Sequence, residues 1–356
     1  VALVPGQANA SLTFDVGADR PGPIAGLLGA GQRLPYPLSA RGTLAIDASS
    51  ASITFDAFRL GRSSGTGDAE WLRGPGGAAR VRLAFAVLDI DELGELAGNA
   101  PAADPLRREV LPAKPPLPDL DFDLTAERVA VGGEALHQAR FAGALRSQEL
   151  PPAKFRFVWD GMTFAGQVGA DFSERAPRIE IEAATRDIDL RAWLARLGRT
   201  DIGLRAEALS LNASAQGARV GELLASATVG GALDRGRLIL PGAGGSQASA
   251  IDFSARLDAA PGKPTRLTAN GIADGEPVQL SLDAGALGEL ARAGETLPLT
   301  LLAMSGDVRL EAAGRIALDG SSEARLQLNG RRLERLGTLI GMRLPAVEPY
   351  SARANL

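Results

Sequence analysis

The sequence contains no cysteine and a single histidine, His137, among its 356 residues. A chain without cysteine forms no disulfide bonds, no thiolate zinc sites and no cysteine nucleophile. One histidine cannot build a histidine-rich metal site, and a catalytic triad would have to recruit His137 itself. We interpret His137 as a loop or strand-edge histidine that follows Gly132 and Gly133. We therefore expect no catalytic residues, no metal and no cofactor.

Aromatic residues and net positive charge are also scarce. Aromatic side chains make up 4% of the sequence, glycine accounts for 43 residues, and the formal net charge is -4. Layers built from small side chains are thin, which favours an extended sheet over a thick globule. Because phosphate recognition requires clustered positive charge, we predict that nucleic acid is not a partner. Arg331, Arg332 and Arg335 form one basic group, which we interpret as a solvated helix face, although it would also suit lipid headgroups.

Long hydrophobic runs are absent as well. No stretch approaches the roughly 18 apolar residues that a membrane-spanning helix needs. The sequence begins with Val1, without the charged region and apolar core of a signal peptide. We therefore expect that this segment does not cross a membrane and that it is part of a longer protein.

Alternation of apolar and polar residues dominates what is present. This period of two is typical of strands that bury one face. Clear examples are residues 81–85 (VRLAF), 155–159 (FRFVW) and 278–282 (VQLSL). The dipeptides Asp160-Gly161 and Asp319-Gly320 are typical of tight hairpin turns. The pattern predicts an antiparallel meander.

Four short helical patterns interrupt the alternation, at residues 89–96, 187–198, 287–290 and 331–341. The clearest, 187–198, opens with aspartates that can cap a helix, repeats leucine at helical spacing and closes on glycine. Each pattern follows an alternating strand, so a strand, a short helix and a return strand recur as a degenerate repeat.

The predicted fold is therefore mainly β: a long antiparallel, curled β-sheet, forming a groove or an open sandwich, built from strand–short helix–strand repeats. Six prolines between 101 and 118 rule out a strand or a long helix there. We predict a β-sheet repeat segment at 1–100, a Pro-rich loop or joint at 101–118, a second segment at 119–277 with a helix near 187–197, and a C-terminal segment at 278–356.

Neighbouring carboxylates are the remaining candidates for chemistry. The pairs Asp187/Asp189 and Asp119/Asp121 have the spacing to bind a hard cation or to act as acid and base. Helix capping and solvent-facing alternation explain both pairs more simply. Lys263 lacks the glycine spacing of a phosphate-binding loop.

The repeat resembles the AsmA family. The resemblance is carried by Asp-Ile-Asp-Leu and the leucine helix at 187–197, by the strands at 202–211 and 231–240, and by the unit at 306–345. It implies a periplasmic β-sheet groove, anchored in the inner membrane by an N-terminal helix that this sequence lacks. It also implies a role in moving phospholipid between membranes or in outer-membrane homeostasis, with outer-membrane assembly proteins as further partners.

The need to cover the apolar face of the predicted sheet agrees with this resemblance. A sheet with one apolar face needs a second layer, and the predicted helices are too few and too short to supply one. Phospholipid or another lipid could fill the resulting trough, or the two faces could pack into a closed sandwich. The candidate groove residues, which would otherwise be ordinary core, are Phe122, Leu124, Phe155, Phe157, Trp159, Phe164, Ile179, Ile181, Leu280 and Leu282.

Two other functions compete with the lipid hypothesis. A structural or interaction module would use exposed strand edges to receive another chain by β-augmentation and so assist outer-membrane assembly. A polysaccharide hydrolase on a β-solenoid is the enzymatic alternative.

Overall fold

The computed structural model describes residues 10–19, 36–72, 77–96, 119–196, 198, 200–240, 249–273, 275–289, 296–317, 322–332 and 349–355. These residues are mainly in β-strands, which confirms the predicted fold class. The chain divides into two compact units, 1–179 and 180–356, and this division lies within the predicted segment 119–277.

The first unit contains nine strands that pair in the order of the sequence. They are β1 (Ala10–Ala18), β2 (Leu38–Ile46), β3 (Ser50–Leu60), β4 (Ser63–Leu72), β5 (Ala79–Asp89), β6 (Leu120–Val131), β7 (Glu134–Leu145), β8 (Glu149–Trp159) and β9 (Met162–Asp171). Every pair is antiparallel except β5 and β6, which run parallel.

The second unit repeats this sequential pairing from β11 to β19, with every pair antiparallel. Its strands, with β10 beginning two residues before the division, are β10 (Arg178–Asp189), β11 (Gly203–Gln216), β12 (Thr228–Leu240), β13 (Ser249–Ala259), β14 (Thr265–Ala273), β15 (Glu276–Ala284), β16 (Thr296–Ser305), β17 (Val308–Ala317), β18 (Ser322–Gly330) and β19 (Tyr350–Asn355).

The helices are short and follow strands, as the repeat predicts. In the part of the chain that the structure describes they are α1 (Ile90–Leu96), α2 (Arg191–Arg196) and α3 (Val220–Ser226), with a 3₁₀ turn at Leu287–Glu289. The predicted start of α2 at Asp187 is too early, because Asp187 and Asp189 belong to the end of strand β10. Helix α3 was not predicted. Of the helical pattern predicted at 331–341, the structure describes only residues 331 and 332, so the rest of this prediction lies outside the described residues.

Local turn chemistry is confirmed where it can be compared. Asp160 and Gly161 join β8 to β9 with φ angles of 50° and 78°, the left-handed pair that a two-residue hairpin requires. The Asp319-Gly320 turn and the Pro-rich joint at 101–118 lie outside the described residues.

His137 lies in the middle of the sheet rather than in a loop or at an edge. Strand β7 pairs with β6 on one side and with β8 on the other, and His137 stands opposite Arg128 and Val158. The sequence interpretation of His137 was therefore wrong. It failed because the turn at Gly132-Gly133 is short, so that the strand resumes three residues before the histidine.

The buried residues of both units are small. Alanine supplies most of the buried hydrophobic positions in the described residues, with Val129, Leu145, Met162, Ile188 and Val308 as the larger members. The largest described side chain that is less than 2% exposed belongs to Ser63. The described residues of the two units therefore show no thick core of the kind that two opposed layers of large side chains would form.

Candidate functional site

An unbroken row of apolar residues crosses all nine strands of the first unit. Each member stands directly opposite the next in the pairing register. We call it the aromatic row; from β1 to β9 it reads Phe14, Gly42, Phe55, Gly67, Leu83, Leu124, Phe141, Phe155 and Gly166. At about 4.8 Å between strands, the row spans about 38 Å.

Phenylalanine rings on this face contact one another across strands. The centroids of Phe14 and Phe55 are 6.1 Å apart, and those of Phe58 and Phe85 are 5.4 Å apart, both in edge-to-face geometry. Phe122 and Phe141 approach to 4.8 Å. Such pairs contribute about 0.5–1.5 kcal/mol beyond the burial of their surface.

Glycines in the neighbouring strands make room for these rings. A Cβ added to Gly42 would lie 3.1 Å from Cζ of Phe14, and one added to Gly143 would lie 3.1 Å from Cζ of Phe122. A ring that lies over a glycine covers backbone that would otherwise be exposed. The alternation of phenylalanine and glycine thus gives a low, continuous apolar surface.

The second unit has a corresponding face made of leucine and alanine. Two rows run from β11 to β19 without a charged residue. The first, which we call the aliphatic row, reads Leu209, Leu233, Ala255, Ala269, Leu280, Ala303, Leu310, Leu328 and Ala352. The second reads Leu211, Gly231, Leu257, Leu267, Leu282, Leu301, Ala312, Leu326 and Ala354.

Most of the described large side chains in the rows are only half-buried, and Leu211 is 37% exposed. Along β5, half-buried Val81, Leu83 and Phe85 alternate with exposed Arg82 and Ala84. An inward-facing residue of a closed sandwich would be fully covered. The burial pattern therefore describes a face whose side chains pack laterally on one another and keep apolar surface accessible.

Eight of the ten predicted groove residues fall on these faces. Phe122, Leu124, Phe155, Phe157, Trp159 and Phe164 share the apolar face of the first unit, and Leu280 and Leu282 share that of the second. Ile179 and Ile181 are on β10, and Ile181 is 37% exposed. The structure gives these two isoleucines no place in either row.

Five phenylalanines of the face were missing from the prediction: Phe14, Phe55, Phe58, Phe85 and Phe141. Four of them lie in alternating segments that carry the same signal as the residues that were chosen. Phe55 and Phe58 are three residues apart, which strict alternation places on opposite faces. A β-bulge between them returns both rings to one face, with centroids 5.8 Å apart.

Charged residues occupy the opposite face and neutralise one another there. Arg140 forms two hydrogen bonds with the carboxylate of Asp123, at 2.9 and 3.0 Å. The Arg140 guanidinium holds the pKa of Asp123 below its usual value. In the second unit, Nε of Arg266 lies 2.6 Å from Oδ1 of Asp283, its cross-strand neighbour.

A buried ionic cluster, formed by Arg62, Asp89 and Glu92, lies where β3 ends, β4 begins and β5 ends. Asp89 and Glu92 are buried, and both carboxylates contact Nε of Arg62, at 3.1 and 2.8 Å. Glu92 also accepts the backbone N–H of Arg62, and Ser63 accepts the N–H of Asp89. The Arg62 side chain is 68% exposed, and its pKa is raised by the hydrogen bond to Glu92. With two carboxylates and one guanidinium, the cluster carries a formal charge of -1.

The charged face of the first unit carries an open cavity of about 970 Å³. Thr66, Ala84 and Thr125 belong to its lining, together with exposed Glu127 and His137. Arg140 lines it too but is engaged by Asp123. The lining holds no buried charged group, and this arrangement offers no preorganised nucleophile or base.

Three of the four carboxylates in the predicted pairs make structural contacts. Asp119 accepts the backbone N–H of Ser147 at 2.7 Å, and Asp121 pairs with Arg146. Asp189 accepts hydrogen bonds from Arg191, which lowers the pKa of Asp189. Within the described ranges, no group of three or more histidine, aspartate or glutamate side chains is arranged to hold a metal ion.

No helix in the described part of the chain combines the length and the apolar character required to cross a membrane. Comparison with known proteins gives no relative: no protein-family model, no curated protein and no solved structure matches the chain.

Proposed function

We propose that this chain is a non-enzymatic, lipid-handling scaffold that shields the acyl chains of phospholipid on the apolar faces of its sheet. In this proposal it is the periplasmic part of an AsmA-like protein that is tethered to the inner membrane and supports outer-membrane homeostasis by transferring phospholipid. The observation that carries the proposal is the pair of continuous apolar faces whose large side chains stay half-buried.

Acyl chains suit such a face because they need no directional partner. Burial of apolar surface contributes about 25 cal/mol per Å², or about 0.8 kcal/mol for each methylene group removed from water. A row that repeats similar contacts at every strand offers many positions of similar energy. Weak and equivalent contacts of this kind would hold a chain in place and still allow it to move along the row.

The proposal is tested by purifying the whole chain from cells, recording native mass spectra and extracting bound lipid. We expect phospholipid to accompany the folded protein. The variant Leu124→Lys places a charge in the aromatic row and is expected to reduce the lipid recovered by at least about tenfold, since a buried, unpaired charge opposes apolar contact. Thr125→Lys adds the same charge one residue later on the exposed face and is the matched control.

The outcome decides between the proposal and its main competitor. A folded protein that carries no lipid, and whose Leu124→Lys and Thr125→Lys variants behave alike, would contradict lipid shielding. In that case capture of an extended polypeptide becomes the better account, which is the interaction module that the sequence also allowed. Circular dichroism of both variants separates loss of binding from loss of the fold.

The proposed location has a separate test. Fractionation of cells that produce the full-length protein should place this chain in the periplasm, accessible to protease after the outer membrane is permeabilised. Recovery in the cytoplasmic fraction would contradict the periplasmic part of the proposal but would leave the lipid-binding part intact.

A further inference from the structure

Neither the aromatic row nor the aliphatic row carries an ionisable group, and the Arg140–Asp123 and Arg266–Asp283 pairs lie on the other side of the sheet. At the end of β7, Glu134 stands opposite Val131, and its carboxylate accepts a hydrogen bond from the Trp159 indole at 3.3 Å. The aromatic row and the aliphatic row contain only Phe, Leu, Gly and Ala. Recognition of a charged headgroup would need a cation or an anion that points toward the bound chain, and within the described residues these rows provide none.

Arginines of both units are already engaged by carboxylates. Arg140 is held by Asp123, and Arg266 by Asp283, on the charged face. Arg62 lies at the end of the first unit's strands but shares its guanidinium with Asp89 and Glu92, in a cluster whose formal charge is -1. An anionic headgroup would therefore find no net positive site there.

From this charge distribution we infer that the faces recognise the aliphatic chain of an amphiphile without regard to the charge of its headgroup. This inference rests on the proposed function and specifies its ligand: a long alkyl or acyl chain, whose polar end stays in water. Affinity is then set by chain length, and headgroups of different charge compete on equal terms for the same rows.

The test measures displacement of a fluorescent fatty acid from the whole chain by single-tailed amphiphiles below their micelle concentration. Three probes share a 14-carbon chain: a lysophosphatidylcholine, a lysophosphatidylglycerol and an alkyltrimethylammonium. We expect their dissociation constants to agree within about threefold, because exposed charges contribute little. Within the lysophosphatidylcholine series, affinity should rise about two- to fourfold per added methylene.

Two variants locate the binding. Leu280→Lys in the aliphatic row should weaken all three probes together, while Gln279→Lys, its neighbour on the other face, should not. Arg62→Ala should leave the ratios between the probes unchanged.

The possible failures are distinguishable. An anionic probe that binds at least about tenfold more tightly than the zwitterionic one with the same chain would overturn headgroup independence and leave the proposed function standing. An affinity that does not change with chain length would contradict both the inference and acyl-chain shielding, because each buried methylene should add to the binding free energy. If no probe displaces the fatty acid at any chain length, both the inference and the proposed function fail.

Discussion

At the scale of single residues, Gly42 determines whether the aromatic row can form. A Cβ at this position would lie 1.9 Å from the backbone oxygen of Thr54 and 3.1 Å from the Phe14 ring. The first contact involves backbone of the paired strand, which cannot move aside as a flexible side chain would. The sequence shows that a glycine lies within a predicted strand here, but the backbone atom that it contacts depends on the strand register and cannot be predicted from the sequence.

Gly42→Ala is therefore expected to destabilise the protein by about 2–3 kcal/mol, because β2 and β3 must separate locally to accept the methyl group. Urea unfolding followed by circular dichroism measures the change. Gly17→Ala is the control, since an added Cβ at Gly17 meets nothing within 4 Å. Equal midpoints for the two variants would show that the register at Gly42 is not as described.

Asp47 fixes the turn between β2 and β3 by accepting four hydrogen bonds from Ser49 and Ser50, with lengths of 2.6 to 2.8 Å. These bonds hold the pKa of Asp47 well below its usual range. A carboxylate with a lowered pKa in the folded state stabilises the fold above its unfolded pKa of about 3.9 and loses that contribution as the pH falls.

Asp47→Asn is accordingly expected to lower the urea midpoint at pH 7. The difference in midpoint between wild type and variant should be largest above about pH 5 and should narrow below about pH 4, where Asp47 begins to lose its charge. Unfolding curves at several pH values provide the measurement. A gap that stays constant down to the lowest pH at which the protein folds would exclude the charge of Asp47 as the cause.

At the scale of elements, α1 is held to the β3–β4 turn by the buried ionic cluster. Glu92 satisfies both the backbone N–H and Nε of Arg62, at 2.7 and 2.8 Å. Glu92→Ala would leave the part-buried backbone N–H of Arg62 without its partner and would remove the closer of the two carboxylates that hold the Arg62 guanidinium. This variant should cost about 2–4 kcal/mol of folding free energy.

The matched control for this loss is Glu70→Ala. Its partner Arg80 lies 3.8 Å away and both side chains are substantially exposed, so less than about 1 kcal/mol should be lost. Chemical denaturation of the two variants side by side makes the comparison. If Glu92→Ala lowers the free energy of unfolding no more than Glu70→Ala does, the buried ionic cluster does not stabilise the fold as described.

Elements with their own local signals were predicted, and elements without them were missed. The Asp160-Gly161 hairpin follows from residues that accept left-handed φ angles. Helix α3 has seven residues, and its N-cap, Arg219, makes no side-chain capping bond, so the sequence shows no start signal. The premature start at Asp187 has a related cause, because the aspartates that suggest a cap also end strand β10.

At the scale of the whole molecule, the strand content was predictable and the register was not. Alternation predicts which residues share a face within one strand. Only the register, with its bulges at Arg41/Gly42 and Phe55/Phe58, aligns those faces into rows. The parallel pairing of β5 with β6 could not be predicted either, because alternation within a strand carries no information on the direction of its neighbour.

Photocrosslinking tests directly whether the aromatic and aliphatic rows contact acyl chains. The whole chain would be irradiated with a phosphatidylcholine that carries a diazirine near the end of one acyl chain, and labelled residues would be mapped by mass spectrometry. We expect labels at alternate positions, such as Leu124, Phe155 and Leu280, and none at their neighbours Thr125, Arg156 and Gln279. Labels spread equally over both faces, or no labelling above the unirradiated sample, would contradict this contact.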